Sequence, residues 1–110
     1  MKNNWDFDDI VTKIIQFRDD RDWRQYHYPK DLAAALSIEV AELQEIFLWK
    51  GQEPSQDIIS DHEKMENIRD EIADVAIYLL LLANELEIDL RDSIEKKIIK
   101  NELKYPIFLQ

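Results

Sequence analysis

The sequence predicts an all-α fold. One Gly and three Pro in 110 residues leave little material for tight hairpins, while Leu, Ile, Glu, Lys and Ala are plentiful and suit helices. Apolar residues also recur at spacings of three and four along most of the chain, the period of a helix face. The first helix is expected from Asp6 to about Arg21, with Phe7, Ile10, Ile14 and Phe17 as its apolar stripe and acidic residues at its start. A loop from about Trp23 to Pro29 separates it from a second helix over about Lys30 to Lys50. There Leu32, Leu36, Leu43 and Ile46 share a face, and Gly51 followed by Pro54 supplies the stop. A polar connector ends in Ser60-Asp61-His62-Glu63, which matches the capping-box pattern and starts a third helix near Asp61.

That third helix runs to about Glu87 along Met65, Ile68, Ile72, Val75, Leu79, Leu82 and Leu86. Between Val75 and Ala83 it is apolar all round, which predicts burial on every side. The fourth helix, about Leu90 to Lys104, carries Ile94, Ile98 and Ile99, with basic residues toward its end as the helix dipole favours. Pro106 stops it at Tyr105, leaving a tail to Leu109. Residues 1–110 read as a single domain of four-helix-bundle type. The Val75–Ala83 segment has more apolar perimeter than four helices of one chain can cover, so the bundle is expected to be completed by homo-oligomerisation, at least a dimer and as a dimer of dimers a tetramer.

Composition excludes several function classes. The 24 acidic and 14 basic residues give a net charge of -10, which repels nucleic-acid backbones and acidic lipid headgroups, so neither a nucleic-acid polymer nor a membrane is expected as a partner. Without Cys there is no disulfide framework, zinc-thiolate site or cysteine nucleophile, a usage that suits a reducing cytoplasm. Met1 to Asp6 lacks an apolar signal core, and the longest apolar run is far short of the ~20 residues that span a bilayer. No phosphate-cradling Gly loop, Rossmann fingerprint or Ser-His-Asp pattern appears.

Acidic pairs three residues apart are common in so acidic a chain, and spacing alone singles out none of them. Context does. Glu39 continues the stripe of Leu32, Leu36, Leu43 and Ile46, and Glu71 and Asp74 continue a stripe with Tyr78 and Leu81. Carboxylates so placed face the core or a cleft, where an unpaired charge is costly, and few Arg or Lys share those stripes. Compensation comes either from a cation or, if the residues sit at the margins, from solvent or a basic residue of another helix. With no Glu-x-x-His pair and no calcium-hand loop, oxygen ligands on two helices select Mg²⁺, with Mn²⁺ as a substitute, and hence a phosphate ester or anhydride as substrate. Lys97, Lys100 and Lys104, with Asn101 between them, could line a polar face for such a substrate or simply complement the helix dipole. Trp23, Trp49, Tyr78 and Tyr105 could stack on a base or belong to a core or interface, and His27 is a loop residue without a partner pattern.

Glu39-Val40-Ala41-Glu42-Leu43, a linker of about thirty residues, and Glu71-Ile72-Ala73-Asp74-Val75 together resemble the Glu-x-x-Glu and Glu-x-x-Asp motifs of the MazG-like all-α nucleoside triphosphate pyrophosphohydrolases. Asp22-Trp23, His27-x-Pro29, Phe47-Leu48-Trp49-Lys50, Ile77-Tyr78-Leu79 and Lys97-x-x-x-Asn101-x-x-Lys104-Tyr105-Pro106 resemble the compact dCTP pyrophosphatase branch, so the likeness runs from about Trp23 to Leu109. The resemblance implies Mg²⁺-dependent conversion of dCTP, or a related pyrimidine nucleotide, to the monophosphate and pyrophosphate, a nucleotide-pool clean-up reaction. It implies metal binding by Glu39, Glu42, Glu71 and Asp74, with Glu39 or Glu42 as the catalytic base. It further implies that Trp49 and Tyr78 lie near the nucleotide, Trp23 and His27 near the pocket mouth, and Lys97, Asn101 and Lys104 near the phosphates. Two positions depart from the pattern: Ile38 where many members have Glu, and Ile14 where some relatives have a His near the base. Outside the resemblance, the competing reading is a non-enzymatic acidic helical module for oligomerisation or nucleotide sensing.

Overall fold

The structure is a computed structural model and describes residues 5–108, so Met1 to Asn4 and the end of the tail at Leu109 lie outside the described residues. Helix α1 spans Phe7–Asp20. Its N-cap Asp6 accepts from the Asp9 backbone N–H at 2.8 Å, while the Asp9 carboxylate accepts from the Asp6 N–H at 3.2 Å, a reciprocal capping box. Asp22, at φ 58°, breaks the helix, and a 3₁₀ turn over Trp23–Tyr26 leads into α2, Pro29–Phe47, with the proline at the first helical position.

Helix α2 ends three residues before its expected limit. Leu48 is extended and Trp49 takes the left-handed conformation at φ 66°, so a tryptophan makes the reversal that the sequence assigned to Gly51, whose φ is not positive. The connector holds a short helix that the apolar spacing did not announce, α3, Ser55–Ile59, opened by Pro54. It also changes the cap of the next helix. The Ser60 hydroxyl donates back to the Gln56 carbonyl at 2.8 Å, so Asp61 caps α4 in its place by accepting from the Lys64 N–H at 3.1 Å. Helix α4, His62–Glu85, closes in a Schellman turn: Glu87 is left-handed at φ 55°, and the Ile88 N–H reaches the Ala83 carbonyl at 2.8 Å. Helix α5, Leu90–Lys104, has the expected bounds and is capped by Asp89. The described residues contain no strand, so the all-α expectation holds, with five α-helices in place of four.

The main packing is α2 against α4, with α1 also against α4. Among the described residues the buried apolar ones are Leu32, Ile68, Leu80, Leu81 and Ala83. Two sequence stripes turn out to be rotated. On α1 the inward positions are Phe7, Val11, Ile14, Ile15 and Arg18, while Ile10 and Phe17 are exposed. On α4 the inward line runs through Met65, Ile68, Glu71, Val75, Tyr78 and Leu81, while Ile72, at 52% exposure, Leu79 and Leu86 face outward. Burial of Val75 to Ala83 on every side is therefore not met within one chain. The radius of gyration is 17.4 Å, against about 13 Å for a compact domain of this length. Accessible surface is 9489 Å², against about 6400 Å² for a compact monomer of this mass. Much of the excess lies on α5, where every residue from Arg91 to Lys104 is exposed, Leu103 at 80%.

Candidate active site

Three of the four predicted carboxylates meet between α2 and α4. Glu39 and Glu42 stand one turn apart on α2, Glu71 faces them from α4, and one carboxylate oxygen of each lies within 4.8 Å of the other two. Asp74, one turn beyond Glu71, is outside that triplet, yet its charge acts on Glu39. One oxygen of Glu39 and one of Glu71 are closed off from solvent without any hydrogen-bond donor. Among the described residues no Lys or Arg forms an ion pair with any of the four carboxylates, so a structural salt bridge does not explain them. The consequence falls on Glu39. Burial first, then the charges of Glu42 and Asp74 and hydrogen bonds to Glu42 and Glu71, push its carboxyl up from the ordinary 4.5 to about 7. Unpartnered carboxylate oxygens converging from two helices form the donor set that a hard divalent cation takes, so these residues could hold a metal ion.

Beside Asp74 a cleft of about 240 Å³ opens between α1, the 3₁₀ turn and α4. Its walls include Phe17, Trp23, His27 and Tyr78, so three of the predicted substrate residues, Trp23, His27 and Tyr78, share one cavity with a predicted metal ligand. Phe17 and Trp23 pack edge to face, 5.7 Å between centroids. His27 is half-buried. Burial and the Arg18 guanidinium lower its pKa, partly offset by Glu85, which favours the neutral imidazole. Ile14 lines the same cleft, whereas Ile38 is exposed on α2.

The remaining predicted residues lie elsewhere. Trp49 is 97% exposed and does not line this cleft. Lys97, Asn101 and Lys104 are exposed on α5, and among the described residues no ion pair or side-chain hydrogen bond ties them to the α2 and α4 carboxylates. One polar residue of the cleft escaped the sequence reading altogether: Arg18, only 3% exposed. Its signal was available, because Arg18 continues the spacing of Phe7, Val11 and Ile14 and is thus a charge on an apolar face.

A model described as the MazG-like family matches residues 34–108, a span that holds all four carboxylates. The chain belongs to the MazG-like family. This MazG-like chain is 37% identical over 103 residues to dCTP pyrophosphatase 1 of Bos taurus and 38% identical to that of Homo sapiens, in each case over 93% of its own length. It spans only 60% of the length of those relatives. Its fold matches the crystal structure of a pyrophosphatase from Archaeoglobus fulgidus with a TM-score of 0.83 and 38% identity, covering 97% of this chain and 98% of that one.

Proposed function

We propose that this chain is a Mg²⁺-dependent nucleoside triphosphate pyrophosphohydrolase acting on dCTP or a related pyrimidine nucleotide. The observation that carries the reading is the convergence of Glu39, Glu42 and Glu71 within 4.8 Å, with one oxygen each of Glu39 and Glu71 closed off from solvent and unpartnered. The dCTP pyrophosphatase 1 relatives and the pyrophosphatase of the same fold support the substrate class. Glu39, Glu42, Glu71 and Asp74 would hold the cation, and Mn²⁺ could replace Mg²⁺. When bound, the cation neutralises phosphate charge and acidifies a water into a nucleophile. Glu39 or Glu42 provides the carboxylate oxygen that takes up the water's proton. Trp23 and Tyr78 offer aromatic faces to the base, and the cleft they share with Asp74 sets the base next to the carboxylates.

Lys97, Asn101, Lys104 and Trp49 are assigned to the same substrate through a second copy of the chain. The surface excess and the exposure of α5 from Arg91 to Lys104 support a homo-oligomer, at least a dimer and as a dimer of dimers a tetramer, in which α5 of one copy reaches the carboxylates of another. No helix of the described residues is long and apolar enough to cross a membrane. A cytoplasmic enzyme of nucleotide-pool clean-up, formed by residues 1–110 as one domain, completes the proposal.

The test is a panel of (deoxy)nucleoside triphosphates incubated with Mg²⁺. Monophosphate and pyrophosphate are expected, with dCTP or another pyrimidine deoxynucleotide turned over fastest. Diphosphate and orthophosphate would overturn the reaction class, and a purine preference would overturn the substrate. Lys97→Ala and Lys104→Ala should each reduce kcat/KM roughly 10-fold or more, the scale of one lost charge-assisted hydrogen bond, without a lower melting temperature. Unchanged turnover and KM in both variants would return these lysines to the solvated surface.

A further inference from the structure

Two walls form the cleft beside Asp74. Phe17, Trp23 and His27 come from α1 and the 3₁₀ turn with its C-cap, and Asp74, Tyr78 and Leu81 come from α4. The first wall is braced within itself, since Phe17 and Trp23 pack edge to face and the Arg21 guanidinium lies 3.5 Å over the Phe17 ring. Between the walls the bracing is different. Apolar packing of α1 on α4 is non-directional, and among the described residues no hydrogen bond joins α1 or the turn to α4. The ion pairs that do join them all end on one side chain, Glu85, the last residue of α4. Its Oε2 stands 3.9 Å from Arg18 Nη1 on α1 and 3.8 Å from Arg24 Nε on the turn.

We propose that Glu85 is a positioning residue: its carboxylate, shared between Arg18 and Arg24, ties the Trp23 wall to the Tyr78 wall and so sets the opening in which the base is held. The inference rests on the nucleotide reading above and adds to it a residue that acts through others without touching the substrate. The Oε2 of Glu85 and the Nη1 of Arg18 are both closed off from solvent and neither makes a hydrogen bond, so the tie between them is the attraction of opposite charges. That attraction is weakly screened, because the two side chains are 4% and 22% exposed, whereas Arg24, at 68%, contributes the smaller share. Neutralising Arg18 does not itself require Glu85, since Arg18 Nε already donates to the Asp19 carboxylate at 2.9 Å on its own helix. What Glu85 adds is a link between elements. Its charge also acts on His27, which places it within electrostatic reach of the first wall. Without the link, α1 and the turn keep their internal bracing but lose their fixed distance from α4, and small displacements of positioning groups are costly to binding geometry.

The experiment is steady-state kinetics with Mg²⁺ and the triphosphate turned over fastest, for wild type, Glu85→Gln and Glu85→Asp, beside thermal melts. Acrylamide quenching of fluorescence accompanies it in a Trp5→Phe, Trp49→Phe background, where Trp23 is the sole tryptophan. Glu85→Gln keeps the shape and removes the charge. KM should rise about tenfold, the scale of one interaction with a charged group, with kcat within about twofold, and Trp23 should become more accessible to the quencher. Glu85→Asp keeps the charge that faces Arg18 and so guards against a folding failure, but it draws the carboxylate back by one methylene, and KM should still rise about threefold or more. A merely structural Glu85 would lower the melting temperature and leave KM and quenching at wild-type values in the folded variants, which overturns the proposal. A fall in kcat at unchanged KM overturns it as well, because that places Glu85 in the chemistry. If wild type turns over no triphosphate, the nucleotide reading fails by itself. Greater quenching of Trp23 in either folded variant then still supports Glu85 as the tie between the walls, and equal quenching overturns it.

Discussion

Glu39→Gln should lower turnover by roughly 100-fold or more while leaving the helices intact, since even residues that only orient a metal's ligands typically matter 10- to 100-fold. The amide keeps the shape of the side chain and the packing of α2 on α4, where Glu39 extends the inward line of Leu32, Leu36, Leu43 and Ile46. What it removes is one of the three converging carboxylates and a candidate proton acceptor. Asp74→Asn should behave alike, although Asp74 lies outside the triplet, because its carboxylate borders both the acidic cluster and the cleft. Steady-state rates with Mg²⁺ check both, and either variant retaining wild-type turnover would remove its residue from the site.

The second large effect concerns assembly. Light scattering at micromolar protein should give a dimer or larger species, and Leu79→Asp, which places a charge on the outward apolar line of α4, should shift the protein to smaller species and depress turnover about 10-fold or more. If α5 of one copy serves the carboxylates of another, mixing Glu39→Gln with Lys104→Ala should restore turnover that neither has alone. In a mixed assembly both substitutions then fall in one shared site, and the other site regains every group. A stable, active monomer would contradict the assembly, and mixtures no more active than their components would place α5 outside the partner's site.

Much of this was legible in the chain. The starts of the four long helices followed from apolar period, caps and prolines, and α5 came out residue for residue, with Pro106 marking its end. The carboxylates were legible for the same reason: Glu39 and Glu71 interrupt apolar stripes, and a charge on such a stripe has few explanations. The misses share a cause. Ile10, Phe17, Ile72 and Leu79 look like core by period alone, but a helix with two apolar faces does not say which one its own chain covers. Arg18 was passed over because the α1 stripe was drawn one position away from the face that packs on α4. The Ser60–Glu63 capping box was lost to α3, whose last turn uses the Ser60 hydroxyl, a competition that local pattern does not reveal. Trp49 terminates α2 in a left-handed conformation that sequence preference assigns to glycine.

If Glu39, Glu42, Glu71 and Asp74 form a cation site, their mutual repulsion should destabilise the chain when no cation is bound. The most direct measurement is a set of thermal melts of wild type and Glu39→Gln, in chelator and in Mg²⁺. In chelator the raised pKa of Glu39 makes its contribution fully present below about 4.5 and lost as pH rises through about 7, so part of the wild-type melting temperature should disappear between those values and that part should be missing from the variant's profile. Near pH 8 the chelated variant should melt as high as wild type or higher, and Mg²⁺ should raise wild type more than the variant by mass action. A variant that melts lower than wild type in chelator and still gains the full Mg²⁺ shift would contradict the site.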